Sequence, residues 1–424
     1  MKKHYPNQLI GHVQLKQFFP AKYNWRLINP QILYLLIPFF LLSITGCKKE
    51  LSYNQVALEK SRSQKTQATF PSLPAAFEAK LINLKKSTNQ HPQLKKNFAD
   101  YMSGLDPQYK IRVLKALNVS ESTCNENTML SHWLNNTLSN WNQNLIFYMM
   151  YTGMIDLPIN YTYFFENMSA NQTFGMNGEY TKILTKTFKD LKRFWNVQSD
   201  NLLLVPLHGG IMQDRGKLIK TYSVLYGMSP AEAEYYADLV IELLQYYPQY
   251  QNGNHPIFTF NAFSSNSAQY AQPIGILPPK IIMGDGILAG YSAIGFGDVA
   301  PQAILAHEYG HQIQYQLNLF PGSQTPEATR KIELMADAYS AYFLSHARGA
   351  TMQWKRVKLF LQVFFNIGDC RVNSTSHHGT PTQRMAAAEW GYKVADNAQK
   401  QGHILTAEAF TKLFEAELPG ILAK

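Results

Sequence analysis

The chain has 424 residues, 46% of them hydrophobic and 13% aromatic, with a formal net charge of +10. That length exceeds one ordinary domain, and the apolar content is ample for a packed core, which excludes wholesale disorder. The positive charge is not gathered into a dense Lys/Arg stripe and no nucleic-acid fold signature occurs, so no nucleic acid is expected as a partner.

The first predicted element is an address. Lys2, Lys3, Lys16, Lys22 and Arg26 precede an apolar run, Ile32 to Ile44, that contains Pro38 and ends in Ile44-Thr45-Gly46-Cys47. A basic leader, a short apolar stretch and small residues at a cleavage point form a secretory signal, and the run is short for a spanning helix. The Cys after small residues resembles the bacterial lipobox. That resemblance implies a lipoprotein signal peptide over residues 1–46, lipidation of Cys47 and an exported protein anchored to a bacterial membrane through its N-terminal lipid. Lys48 weakly resembles routing to the outer membrane. A transmembrane anchor with an incidental Cys is the plainer alternative. Residues 47–72, rich in Ser, Gln, Lys and Thr, read as a tether. An exported chain sits where disulfides form, so Cys124 and Cys370 are candidates for a bridge, with two free thiols as the alternative.

Residues 73–200 read as a helical region without a chemical motif. Helices are expected over Ala76–Lys86, Gln93–Met102, Pro107–Leu117, Met129–Met150 and Tyr180–Trp195, with Trp133, Trp141, Phe147, Phe188 and Trp195 in the core. From residue 201 the texture changes. Leu202–Leu207 reads as a strand, and Ser229–Tyr247 as a helix with Ser229 as N-cap and Pro230 at its first position. Pro256–Phe263 and Lys280–Met283 are strand-like, Gly284-Asp285-Gly286 is expected to turn the chain, and residues 299–424 are mostly helical. Strands followed by helices predict an α+β domain over 201–424. His208 and His255, in Gly- and Pro-containing contexts, read as structural or exposed, and His346 as complementing the dipole of the helix it ends.

The informative stretch is Asp298-Val-Ala-Pro-Gln-Ala-Ile-Leu-Ala-His307-Glu308-Tyr309-Gly310-His311. Asp298 can cap a helix and Pro301 is tolerated in its first turn. His307 and His311 then lie four residues apart on one face, which is half of a tetrahedral zinc site. Glu308 sits beside them as a general base toward zinc-bound water. Gln314 and Leu317 stand where the metzincin extension needs glycine and histidine, so the third ligand must come from elsewhere. Thr325 and Pro326 open a second helix that carries Glu333-Leu-Met-Ala-Asp337. Glu333 is the candidate third ligand. Asp337, one turn on, can accept the N–H of a ligand histidine. Ala336, Ala338 and Ala341 allow the two helices to approach closely.

His307-Glu-Tyr-Gly-His311 followed by Glu333-Leu-Met-Ala-Asp337 resembles the gluzincin peptidases, most nearly the bacterial putative neutral zinc metallopeptidases. Ile367-Gly-Asp369 and His378-Gly-Thr-Pro-Thr-Gln-Arg384 are similar to a further segment of that family. Asn261-Ala-Phe263 and Lys280-Ile-Ile-Met-Gly-Asp-Gly286 resemble the strand region of compact gluzincins of the CAAX-protease group. The resemblance covers about residues 256–390 and implies a gluzincin-like domain, with a small sheet packed on the HExxH helix and the Glu-bearing helix, one Zn2+ per chain, and endopeptidase activity on peptide or protein substrates. His378 or Arg384 can donate to the tetrahedral oxyanion. Arg384 can instead structure the site by pairing with Asp337, Asp369 or another acid, and His377 competes with His378. One of the two strand-like runs is expected to be the edge that pairs with an extended substrate. The alternatives are a non-catalytic zinc-binding lipoprotein module and a zinc amidase acting on peptidoglycan peptides.

Overall fold

The computed structural model describes residues 73–90, 128–167, 172–320, 325–367, 378–399 and 402–424. The signal, the tether, Cys47, Cys124, Cys370, Gly368-Asp369, His377 and the expected helices Gln93–Met102 and Pro107–Leu117 lie outside the described residues. Helix α1 (Ala75–Gln90) belongs to a separate unit. Phe77, Leu81 and Leu84 recur at helical spacing along it.

The remaining described residues belong to one unit. The single helix expected over Met129–Met150 is two, α2 (Met129–Thr137) and α3 (Gln143–Tyr151). Asn142 breaks it, because its side chain accepts from Leu145 N at 3.0 Å and starts a new helix. Helix α4 (Leu157–Phe165) was not expected: mostly aromatic and apolar, it shows no amphipathic period. Lys280 Nζ, buried, reaches its C-terminal end and donates to the carbonyls of Tyr163 and Glu166, each at 2.8 Å. Next come α5 (Thr181–Phe194), β1 (Leu203–Leu207), α6 (Arg215–Leu225) and α7 (Pro230–Tyr246). Ser229 caps α7 in a reciprocal box with Glu232.

Strand β2 (Ala262–Ser265) is shorter than expected, because Pro256–Thr259 forms a 3-10 turn capped by His255. After the small hairpin β3 (Ala268–Gln269) and β4 (Ile276–Leu277), β5 (Lys280–Gly284) runs directly into α8 (Asp285–Ala293). Gly284 and Gly286 therefore do not make a loop. They permit close backbone approach: a Cβ at Gly284 would lie 2.1 Å from Thr259 O, and one at Gly286 2.0 Å from Pro256 O. Helices α9 (Ala300–Gln316), α10 (Pro326–Ser345), α11 (Trp354–Ile367), α12 (Pro381–Gln399) and α13 (Ala407–Leu422) follow. Thr325 caps α10 as expected. Asp298 does not cap α9, whose N-cap is Val299; its carboxylate lies 3.4 Å from Arg356 Nη2 instead. His346 at the end of α10 is not a cation on the dipole. Burial lowers its pKa, and it bridges Arg348 N (3.0 Å) and His403 O (2.9 Å).

The fold is mixed and mostly helical, with a small sheet, as in an α+β protein. The sheet order is β1-β5-β2, parallel between β1 and β5 and antiparallel between β5 and β2. Val205, Leu207 and Ile282 form its core against Ile159, Tyr163 and Phe263. Of the two strand-like runs, β5 is central, and among the described residues only β2 lies at an edge of the sheet. Residues 128–200 pack into the same body as 201–424: Phe194 of α5 meets Tyr342 at 5.6 Å and Phe343 at 5.3 Å, and Trp141 meets Tyr250 at 5.2 Å. Among the described residues, no helix is long and apolar enough to cross a membrane.

Candidate metal centre

Two small residues set the distance between α9 and α10. A Cβ on Gly310 would lie 3.1 Å from Ala336 Cα, and Ser340 Oγ donates to Ala303 O at 2.9 Å. At this spacing the His307 and His311 rings, 4.7 Å apart on one face of α9, meet Glu333 of α10. His307 Nε2 is 3.4 Å from Glu333 Oε2, and His311 Nε2 is 3.5 Å from Glu333 Oε1. Charge-assisted hydrogen bonds are shorter, about 2.7–2.9 Å. Ligands about 2.0–2.2 Å from a tetrahedral zinc stand about 3.3–3.6 Å from one another, so the observed spacing suits a cation between them. The ligand atoms of His307, His311 and Glu333, two of them buried and His311 half-buried, all lie within 4.8 Å of one another, so the three could hold a metal ion.

The far side of each imidazole is also occupied. His307 Nδ1 is 2.8 Å from Asp337 Oδ1, and Arg384 clasps the same carboxylate through Nε (2.7 Å) and Nη2 (2.6 Å). Of the acids open to Arg384, Asp337 is thus its partner. Arg384 and Asp337 are fully buried, so the fork neutralises a charge that could not stand alone. His311 Nδ1 is 2.8 Å from Gln314 Oε1, a partner the sequence reading missed. His378, at the N-terminal approach to α12, places Nδ1 2.6 Å from Glu333 Oε2.

Glu308 is buried among these groups without being one of the trio. Burial, opposed by His307, pushes its carboxyl up to about 7. For Glu333 burial acts upward, but His378, His311 and His307 together hold it well below the usual carboxylate range. Burial lowers His311 to about 4. At His307 the same burial effect is outweighed by Asp337 and Glu333, which hold it at about 9.

The trio and Glu308 open on a cavity of about 240 Å³. Asn261 to Ser264 form one wall, and His378, Arg384, Ile287, Tyr315 and Phe320 also line it. Helix α9 is tied to β2 by Gln312 Nε2, which donates to Ser264 Oγ (2.6 Å) and Ser265 O (2.9 Å), and by Tyr315 Oη, 3.3 Å from Ser264 O. Tyr315 stacks on Phe320 at 4.3 Å. The structure therefore brings His307, Glu308, His311, Glu333, Asp337, His378 and Arg384 together. His208 and His255 lie apart: His208 pairs with Asp285 at 2.7 Å, and buried His255 donates to Thr137 O and accepts from Ile257 N. No protein-family model, no curated protein and no solved structure matches the chain. The gluzincin resemblance accordingly rests on the motif residues themselves.

Proposed function

We propose that the chain is a zinc-dependent endopeptidase, with His307, His311 and Glu333 as the metal ligands. The observation that carries this is Glu308: a carboxylate beside three convergent ligands, buried, lining the same cavity, and not needed to complete the ligand set. Zn2+ when bound supplies Lewis acidity, polarising a carbonyl and lowering the pKa of water. Glu308 takes a proton from the attacking water as its oxygen bonds to the peptide carbonyl carbon. When the C–N bond breaks, Glu308 returns that proton to the leaving nitrogen. His378, with Nδ1 held at Glu333, lines the same cavity and is the candidate donor to the developing oxyanion, and Arg384 keeps Asp337 and His307 in place.

Substrate lies along β2. Gly284 N donates to Asn261 O, so by antiparallel alternation Ala262 and Ser264 turn their backbone groups away from β5; Ser264 O is taken by Tyr315, which leaves Ala262 as the residue whose backbone groups face substrate. Export and a lipid anchor on Cys47 belong to the same reading on sequence grounds; a Cys47→Ser variant should take up no fatty-acid analogue.

The test is Glu308→Gln, which keeps size and loses the base. The variant should retain zinc while hydrolysis of an unstructured peptide pool falls about 10²–10⁴-fold. A wild type that cleaves no faster than the variant, with chelator changing neither, sinks the peptidase reading.

A further inference from the structure

The two ligand histidines are oriented by different chemistry. His307 has a carboxylate, itself held by an arginine; His311 has the side-chain amide of Gln314. Gln314 lies three residues after His311 on the same helix, so the two side chains share a face, and it is fully shielded from solvent. Its amide orientation is fixed by its second contact: Nε2 donates to Ile332 O at 2.7 Å. A carbonyl only accepts, so the NH2 end must face Ile332 and Oε1 must face His311. The ring nitrogen 2.8 Å from Oε1 must then carry the hydrogen. That leaves the Nε2 of neutral His311, 3.5 Å from Glu333 Oε1, with its lone pair aimed into the trio.

We propose that Gln314 is a positioning residue that fixes His311 as the Nδ1–H tautomer and so presents Nε2 to the metal. This rests on the metal-centre reading. The amide performs two tasks that no other side chain of its length combines. Oε1 accepts from His311. Nε2 donates to the peptide immediately before Glu333, so one side chain ties the orientation of a ligand on α9 to the position of a ligand on α10. Methionine fills the same volume without either bond. Glutamate keeps the acceptor for His311 and loses the donor for Ile332. At a position fully shielded from bulk solvent, a lost bond leaves its buried partner unsatisfied.

Two measurements on the full chain test this. The first is the nitrogen-15 spectrum of labelled histidine in chelator-treated protein, which distinguishes the tautomers without any metal. His311 should be the Nδ1–H form in the wild type and in Gln314→Glu, and should shift toward the Nε2–H form in Gln314→Met. The second is zinc affinity by competition with a chelating dye. Gln314→Met should bind about 10–100-fold more weakly than the wild type, with Gln314→Glu recovering most of the loss. An Nδ1–H signal persisting in Gln314→Met, or zinc affinity there within about twofold of the wild type, overturns the inference. If Gln314→Met fails to fold, Gln314→Glu decides: an Nε2–H His311 in that variant also overturns it. Should the wild type itself bind no zinc, the metal reading fails, and the tautomer spectrum still settles the role of Gln314.

Discussion

Two histidine–aspartate pairs of nearly equal length occupy different parts of this molecule: His307–Asp337 at 2.8 Å and His208–Asp285 at 2.7 Å. The second arises from backbone topology. His208 follows β1 directly and Asp285 follows β5, and because these strands run parallel, their C-terminal ends lie side by side. Its histidine side chain is 35% exposed, and Asp285 Oδ1 is buried with no hydrogen-bond partner among the described residues. The first pair is backed on both sides. Arg384 forks onto Asp337, and the far nitrogen of His307 meets Glu333, where His311 and His378 also converge. A histidine held by a carboxylate is therefore not in itself a site. Convergence of further groups on the free nitrogen distinguishes the two, and it should appear in both stability and metal binding.

The largest contrast is expected from removing each aspartate, with zinc withheld by a chelator. Asp337→Ala strands the buried Arg384 guanidinium and should cost about 3–5 kcal/mol in urea unfolding. Asp285→Ala leaves a histidine that water reaches, and should cost about 1 kcal/mol or less. Equal losses would mean that the Arg384 fork contributes nothing beyond an ordinary surface pair. With zinc restored, only Asp337→Ala should weaken binding, by about 10–100-fold.

A second way to sharpen the comparison is steric. The metal centre depends on how closely α9 lies on α10, and the His208 pair does not. Gly310→Ala sets a methyl 3.1 Å from Ala336 Cα, against backbone that cannot swing aside. Overpacking of this kind costs about 1–3 kcal/mol. Zinc affinity should fall with it, because any relief moves His307 and His311 away from Glu333. Unchanged melting temperature and unchanged affinity would show that the two helices adjust freely.

The parts of the centre that were legible in sequence are those set by helical spacing. His307 and His311 lie one turn apart, as do Glu333 and Asp337, and both faces follow from periodicity alone. The pairing of Arg384 with Asp337 was legible only as one of several options, since it joins residues 47 apart. Gln314 carried a signal that went unused: a glutamine three residues after a candidate ligand histidine, on its face, is within reach of the ring nitrogen turned away from the trio. Which strand is the edge was not legible, because the runs Pro256–Phe263 and Lys280–Met283 are both short and rich in apolar residues, and only the observed pairing separates them. Lys280 misleads at the same place. It begins a strand whose every residue is buried, and its ammonium is accommodated by carbonyls at the C-terminal end of α4, over a hundred residues earlier in the chain. Helix breaks such as Asn142 depend on a cap competing with helix continuation, and an apolar period running through both halves hides them.

The smallest expected effect concerns the pH dependence of the His208 pair. Burial alone lowers the His208 pKa, but the hydrogen bond and charge of Asp285, with a main-chain contact at Thr173, outweigh it, so the folded value lies above the ordinary 6.5. The folded state thus holds this proton more tightly than the unfolded chain does. The resulting stabilisation is fully present below about 6.5 and is lost as pH rises through the folded value. Solvent reaches about a third of the ring, which keeps the contribution to about 1 kcal/mol or less. Urea unfolding of the wild type and of Asp285→Asn, across about pH 6 to pH 8 with chelator present, isolates it. Titrations at the metal centre are common to both proteins and cancel in the difference. The stability advantage of the wild type should shrink as the pH rises. If the two curves run parallel across that range, Asp285 does not hold a proton on His208, and the pair is a neutral hydrogen bond.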